Sequence, residues 1–164
     1  PIKSSAASDV YKRQVGGKVT ECLREESVMQ IFELSRQVSN ERHFFREFLR
    51  FTRIDPGIYV AHMEPKGNVV ALVAEHFADR MPSEDWMIID DKRFIAVVHP
   101  ADQDYYLTIL SKEEMDRLSI QTDDPFIDLW KDFFNTIGIK ERENHQCQRN
   151  LMPLWYRKHM TEFQ

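Results

Sequence analysis

From Glu25 to about Phe51 the apolar residues Val28, Ile31, Phe32, Val38, Phe45, Phe48 and Leu49 recur at spacings of three and four, with no Gly or Pro between them. That period predicts one long helix, with Ser39-Asn40 as the place for a bend. Asp55-Pro56-Gly57 supplies turn chemistry that stops it. Two β-rich runs follow, IYVAHMEP and NVVALVAE, and the Pro65-Lys66-Gly67 between them predicts a hairpin. EHFADRM reads as a short helix before Pro82. WMIID, RFIAVVHP and DYYLTIL predict three more strands, the first two joined by a tight turn at Asp91-Lys92.

The chain then returns to helical spacing. Ser111 with Glu114 three residues later has the capping-box pattern. In DDPFIDLWKDFFNTI, Pro125 suits the first helical turn, and Phe126, Leu129, Trp130, Phe133 and Ile137 share a face. Trp130 and Phe133 are therefore expected in the core, against the sheet. A last helix is expected from Pro153 towards Met160. Strands flanked by helices without βαβ alternation indicate an α+β fold. The expected architecture is a mainly antiparallel sheet of four to five strands, packed with a long N-terminal helix and C-terminal helices.

Residues 1–14 depart from this patterning. PIKSSAASDVYKRQ has neither apolar periodicity nor the apolar run of a signal peptide. SSAASDVYKRQ resembles translated sequencing-adapter read-through. Residues 1–14 are accordingly expected to be a non-native or disordered leader, and 15–164 a single α+β domain, the C-terminal part of a longer protein.

Composition narrows the function classes. No apolar run approaches the ~20 residues that a helical membrane span needs, so no membrane partner is expected. Cys22 and Cys147 stand far apart and outside any paired motif, which supports neither a disulfide framework nor a zinc ribbon and fits a reducing cytoplasm. The net charge of -5 argues against a simple nucleic-acid coat, yet its distribution is uneven. Residues 54–136 carry 7 Lys/Arg against 17 Asp/Glu, while 41–53 and 137–164 each come to +2. Such a split suits a basic binding face on an acidic body.

The first basic segment is RHFFREFLRFTR. Continued as a helix, it gathers Arg42, Arg46, Arg50 and Arg53 within about 80° of one another, opposite Phe44, Phe45, Phe48 and Phe51. Four guanidinium groups on one stripe suit bidentate contact with phosphates, and equally suit a solvated face paired to the acidic body. The second segment interleaves cations with amides and aromatics, among them Arg142, Asn144, Gln148, Arg149 and Tyr156. Cations fix phosphates, amides read base edges and aromatics stack on unpaired bases; a packed helix with ordinary surface charge has the same composition.

Reactive chemistry is harder to find. The six histidines are scattered without a H-E-x-x-H or paired C-x-x-C pattern, so no metal or other cofactor is indicated. His62 reads as a sheet-face residue. Asp90-Asp91 and Asp123-Asp124 fall where turns and helix N-termini use Asp. No phosphate-binding glycine loop or nucleophile elbow is present, so no standard catalytic device is visible; His43, beside Arg50, is the weak acid-base candidate of an enzymatic reading.

SRQVSNERHFFREFLRF, YVAHMEP, EHFADRMPSEDWMIIDDKRFIAVV and LWKDFFNTIGIKERENHQCQRNLMPLWYRKHMTEF together resemble a bacterial family of unknown biochemical function named for DNA metabolism, from roughly residue 27 onward. The resemblance implies a setting. Members are typically encoded beside a radical-SAM protein, and in some bacteria the domain is joined to a uracil-DNA-glycosylase-like domain. It implies a DNA-repair accessory domain that binds nucleic acid while such a partner supplies the reaction. An enzyme acting on a damaged base or nucleotide, and a non-catalytic protein-interaction module, are the alternatives. Tyr156-Arg157 stands where relatives commonly have Tyr-Trp, which weakens any stacking role for the second position.

Overall fold

A computed structural model describes residues 9–10, 12–13, 16–55, 57–118, 125–137 and 139–163. The chain forms two compact units, Pro1–Glu41 and Arg42–Gln164. Most of the expected leader lies outside the described residues. A 3-10 turn at Gly16–Glu21 precedes helix α1, Glu26–Phe48. Strands β1 (Phe51–Asp55) and β2 (Ile58–Met63) follow, then α2 (Val70–Arg80), β3 (Asp85–Asp90), β4 (Ile95–His99) and β5 (Tyr106–Ile109). Helices α3 (Lys112–Leu118), α4 (Pro125–Ile137) and α5 (His145–Leu151) lead to 3-10 turns at Leu154–His159 and Thr161–Phe163.

The class is α+β, with one five-stranded sheet in the order β1-β2-β3-β4-β5. All neighbours are antiparallel except β2 and β3, which run parallel from Ile58↔Asp85 to Met63↔Asp90. A parallel pair needs a crossover, and α2 supplies it. Here the structure corrects the expected hairpin, because NVVALVAE enters helix α2 at Val70 instead of forming a strand. Val70, Val73, Ala74 and Phe77 recur at helical spacing and all four are buried. Their valines favour a strand locally, but an apolar run of this kind is ambiguous until tertiary burial decides it.

The long helix also ends earlier than its period suggests. It stops at Phe48, and Phe51–Asp55 pairs with β2 instead. The Arg50 guanidinium assists this exit by donating to the carbonyls of Glu47 (3.1 Å) and Leu49 (3.3 Å), groups that a helix end leaves without intrahelical partners. Gly57, at φ 99°, makes the turn into β2, a conformation that costs glycine little.

Side chains alternate across the sheet. On one face Val60, Ile89 and Ala96 pack with Met115 of α3, flanked by Ile54, Met87, Leu110 and Leu118. On the other, Phe51 meets Phe77 of α2 at 5.0 Å and Trp86 at 6.2 Å between ring centroids. Trp86 is closed off by stacking on buried His99 at 4.7 Å, while its indole N–H donates to the Met81 carbonyl at 3.2 Å. Each such fully buried large apolar side chain contributes roughly 1.5–3 kcal/mol.

Two C-terminal expectations change. The helix expected from Pro153 is a 3-10 turn, with α5 ahead of it. On α4, Trp130 and Phe133 are 39% and 50% exposed, so they do not enter the core. The helix instead meets the Thr161–Phe163 turn, with Phe134 and Phe163 5.8 Å apart. No described helix is long and apolar enough to cross a membrane.

Candidate functional site

The parallel pair brings the carboxyl ends of β2 and β3 side by side, the position where open α/β units commonly place their ligands. His62 and Met63 close β2, Glu64 follows, and Asp91 follows β3. The Asp91 N–H donates to the Met63 carbonyl at 3.0 Å, which fixes the two ends together.

A buried clamp holds this arrangement. Asp90 is fully buried, and its Oδ1 accepts from the N–H groups of Lys92 and Arg93, both at 3.1 Å. Its Oδ2 accepts from Arg93 Nη1 at 2.8 Å, and the same guanidinium reaches the carbonyls of Pro65 and Lys66. One ion pair thus ties the β3–β4 turn to the loop after Glu64. Phe94 sits at φ 57° in that turn, an uncommon conformation for a residue with a Cβ. Its N–H donates to the Asp90 carbonyl at 2.9 Å, and its own carbonyl accepts from Leu110 at 2.8 Å.

The C-terminal segment completes the site from a distant part of the sequence. Tyr156 is buried against Phe44, Phe45 and Phe48 of α1, with centroid separations of 5.2, 4.9 and 5.8 Å. Trp155 meets Phe45 edge-on at 5.9 Å, an arrangement that favours aromatic pairs. This docking carries His159 over the strand ends, where its ring lies 6.3 Å from that of His62.

Four polar side chains then face one another. His62 Nδ1 and Asp91 Oδ1 are 2.8 Å apart, so the imidazole donates to the carboxylate and orients it. Asp91 Oδ2 turns towards His159 Nε2 at 3.8 Å, and Glu64 Oε1 lies 3.6 Å from the same nitrogen. Neither distance is a hydrogen bond, and His159 Nε2 is buried with no hydrogen-bond partner. Burial lowers the His159 pKa despite Asp91 and Glu64, which favours the neutral imidazole. Lys158 Nζ rests against Glu64 Oε1 from the solvent side. Phe45, Phe48, Leu49, Trp155 and Tyr156 wall a cavity of about 10 Å³ beside these groups, room for a single water or ion. Glu64, Asp91 and His159 each offer one ligand atom, all within 4.8 Å of one another, and are the described residues able to hold a metal.

The residues singled out from the sequence are distributed differently. Arg42 and Arg46 remain on α1, where Arg46 donates to His76 Nδ1 at 2.9 Å. Arg50 and Arg53 lie beyond the helix, so the four-arginine stripe is not continuous; Arg53 is exposed on β1. Arg50 binds Glu162 through Nη2 at 2.6 Å and Nε at 3.3 Å. Its pairing is internal because Glu162 is brought beside it by the folded-back C-terminus. His43 is exposed and 3.2 Å from Glu47 on the same helix, away from the polar cluster's walls. Asn144 caps α5, accepting from the Cys147 N–H at 2.9 Å; Gln148 is half-buried, and Arg142 and Arg149 are exposed. Tyr156 is 6% exposed, so its ring belongs to the packing and offers no face to a base.

A family match spans residues 7–162. The chain belongs to the family described as domain of unknown function DUF4130. No curated protein and no solved structure gave a match. The polar cluster of this DUF4130 domain was not found by motif because its parts are separated in sequence. Reading VVALVA as a crossover helix would have placed His62, Glu64 and Asp91 at neighbouring strand ends. Nothing in the local sequence around His159 points to them.

Proposed function

We propose that this DUF4130 domain serves DNA metabolism by binding nucleic acid on the surface around Trp155, above the strand-end cluster. The supporting observation is the fold-back of the C-terminal segment onto the arginine-bearing end of α1. It sets Trp155, half-exposed and with Lys66 Nζ 5.1 Å from its ring centroid, beside Lys158 and the cluster of His62, Glu64, Asp91 and His159. Cations hold phosphates and an accessible aromatic stacks on an unpaired base, so a single strand is the favoured ligand. The cavity is too small for a base, which places the nucleotide at its mouth. In the enzymatic alternative, His62 and His159 replace His43 as the acid-base candidates.

The apolar face of α4 supports a second role in the same setting. Phe126, Leu129 and Phe133 are 63%, 62% and 50% exposed and border a groove with Phe51 and Trp130. Such a face suits a protein partner, for which the radical-SAM protein or the glycosylase-like domain implied by the family resemblance is proposed.

The test is salt-dependent binding of labelled single-stranded and duplex oligonucleotides. Lys66→Gln with Lys158→Gln should weaken binding and make the salt slope shallower by roughly 1.4 to 1.8, the loss of two phosphate contacts. Trp155→Ala should weaken single-strand binding by about 1–3 kcal/mol. Folded variants with unchanged affinity and slope would remove this surface from the reading.

A further inference from the structure

We infer that Glu64, Asp91 and His159 form a binding site for one divalent transition-metal ion, with His62 as the residue that positions Asp91. The inference concerns the protein alone and does not depend on nucleic-acid binding.

Three observations converge. First, the ligand atoms are spaced for a shared ion. At bond lengths of about 2.1 Å, neighbouring ligands of an ion lie about 3.0 Å apart in octahedral and about 3.4 Å apart in tetrahedral geometry. His159 Nε2 lies 3.6 Å from Glu64 Oε1 and 3.8 Å from Asp91 Oδ2. Those atoms are too far apart to bond one another and close enough to share a small cation. Second, His159 Nε2 is shielded from solvent and lacks a hydrogen-bond partner, an arrangement that leaves its lone pair available to a ligand. The adjoining cavity of about 10 Å³ matches one ion rather than an organic group.

Third, the surrounding contacts are those of a supported metal ligand. His62 occupies Asp91 Oδ1 at 2.8 Å, which leaves Oδ2 aimed inward. Ligating carboxylates are ordinarily held by hydrogen bonds of this kind. The pair of buried Asp90 with half-buried Arg93 fixes the loops on either side. Lys158, 61% exposed, sets its ammonium against Glu64 and occupies the flank where positive charge is wanted. Its exposure lets it swing away when an ion enters. Two carboxylates with one imidazole select a first-row transition ion over Mg²⁺ or Ca²⁺, which prefer oxygen ligands throughout. Three protein ligands leave positions open, as in sites where a metal holds water or substrate.

Mn²⁺ is the suitable probe, because the free thiols of Cys22 and Cys147 compete poorly for it. The chelator-treated full chain, without DNA, would be titrated with Mn²⁺ by electron paramagnetic resonance, which reports the free ion. One saturable site is expected, with Mg²⁺ a poor competitor. Asp91→Asn and His159→Gln should each weaken binding at least about tenfold, and His62→Ala by about 10- to 100-fold, the range for residues that orient a ligand. Lys158→Met removes a competing cation from an exposed position and should tighten binding. Should the ligand variants fail to fold, that variant decides: tighter binding supports the site, and unchanged or weaker binding overturns it. Absence of saturable binding, equal competition by Mg²⁺, or unchanged affinity in folded Asp91→Asn and His159→Gln would also overturn it. Loss of oligonucleotide binding with Mn²⁺ binding intact would count against the nucleic-acid reading alone.

Discussion

Arg50 reaches across 112 positions of sequence to Glu162, donating from Nη2 to Oε1 at 2.6 Å and from Nε to Oε2 at 3.3 Å. The same guanidinium caps the end of α1, so one side chain ends a helix and fastens the C-terminus. The Glu162 side chain is only 2% exposed, and its carboxylate depends on this partner. Removing one member of a buried pair leaves the other charge uncompensated. Arg50→Ala should therefore cost about 3 kcal/mol in urea unfolding. A loss within about 0.5 kcal/mol would show that the pair behaves as an ordinary surface contact.

The pair also gives stability a pH dependence. Burial by itself would raise the Glu162 pKa, but the hydrogen bond and charge of Arg50, joined by hydrogen bonds from the backbone and Trp130, outweigh it, and the net shift is downward. A carboxylate with a depressed folded pKa stabilises the protein above its unfolded pKa, about 4.3, and that contribution is lost as pH falls through the folded value. Urea midpoints should decline from near pH 5 downward, with a shallower decline in Glu162→Gln. Parallel acid profiles for the two proteins would contradict this assignment.

Asp90 gives the sharpest core prediction. It is fully buried and accepts from two backbone N–H groups and Arg93. Asp90→Ala strands those donors and should cost about 3–5 kcal/mol, measured by chemical denaturation. Hydrogen exchange should also accelerate at Lys92, whose N–H loses the Asp90 carboxylate, and less at Arg93, whose N–H keeps the Asp90 carbonyl at 3.2 Å.

Ser111 and Glu114 form a reciprocal cap on α3. The Glu114 N–H donates to Ser111 Oγ at 3.2 Å, and the Ser111 N–H donates to Glu114 Oε2 at 2.7 Å. Ser111→Ala should cost about 1 kcal/mol. Thermal melts of the single variant are sufficient to measure it.

On α4, Leu129→Asp and Phe133→Asp should leave folding stability within about 0.5 kcal/mol, the range for surface substitutions, when measured by chemical denaturation. Losses of several kcal/mol would return these residues to the core.

Local chemistry in the sequence determined much of the framework. Heptad-like spacing gave α1, the Ser111–Glu114 pattern gave the start of α3, and Pro125 gave the first residue of α4, because each depends on neighbours within one or two turns. The strands WMIID, RFIAVVHP and DYYLTIL were legible for the same reason. Only tertiary structure decided that VVALVA is a crossover helix, since its valines obtain burial in either conformation and the parallel pairing of β2 with β3 selects one. It also decided where α1 ends, through sheet pairing and the Arg50 contact with Glu162. The apolar stripe of α4 shows the limit of periodicity: the pattern identifies a helix but not what covers its face. The cluster lay furthest from view, because 95 positions separate Glu64 from His159. Its assembly required two parallel strand ends and a C-terminal segment anchored by Tyr156 in the aromatic surface of α1, long-range packing that no local spacing encodes.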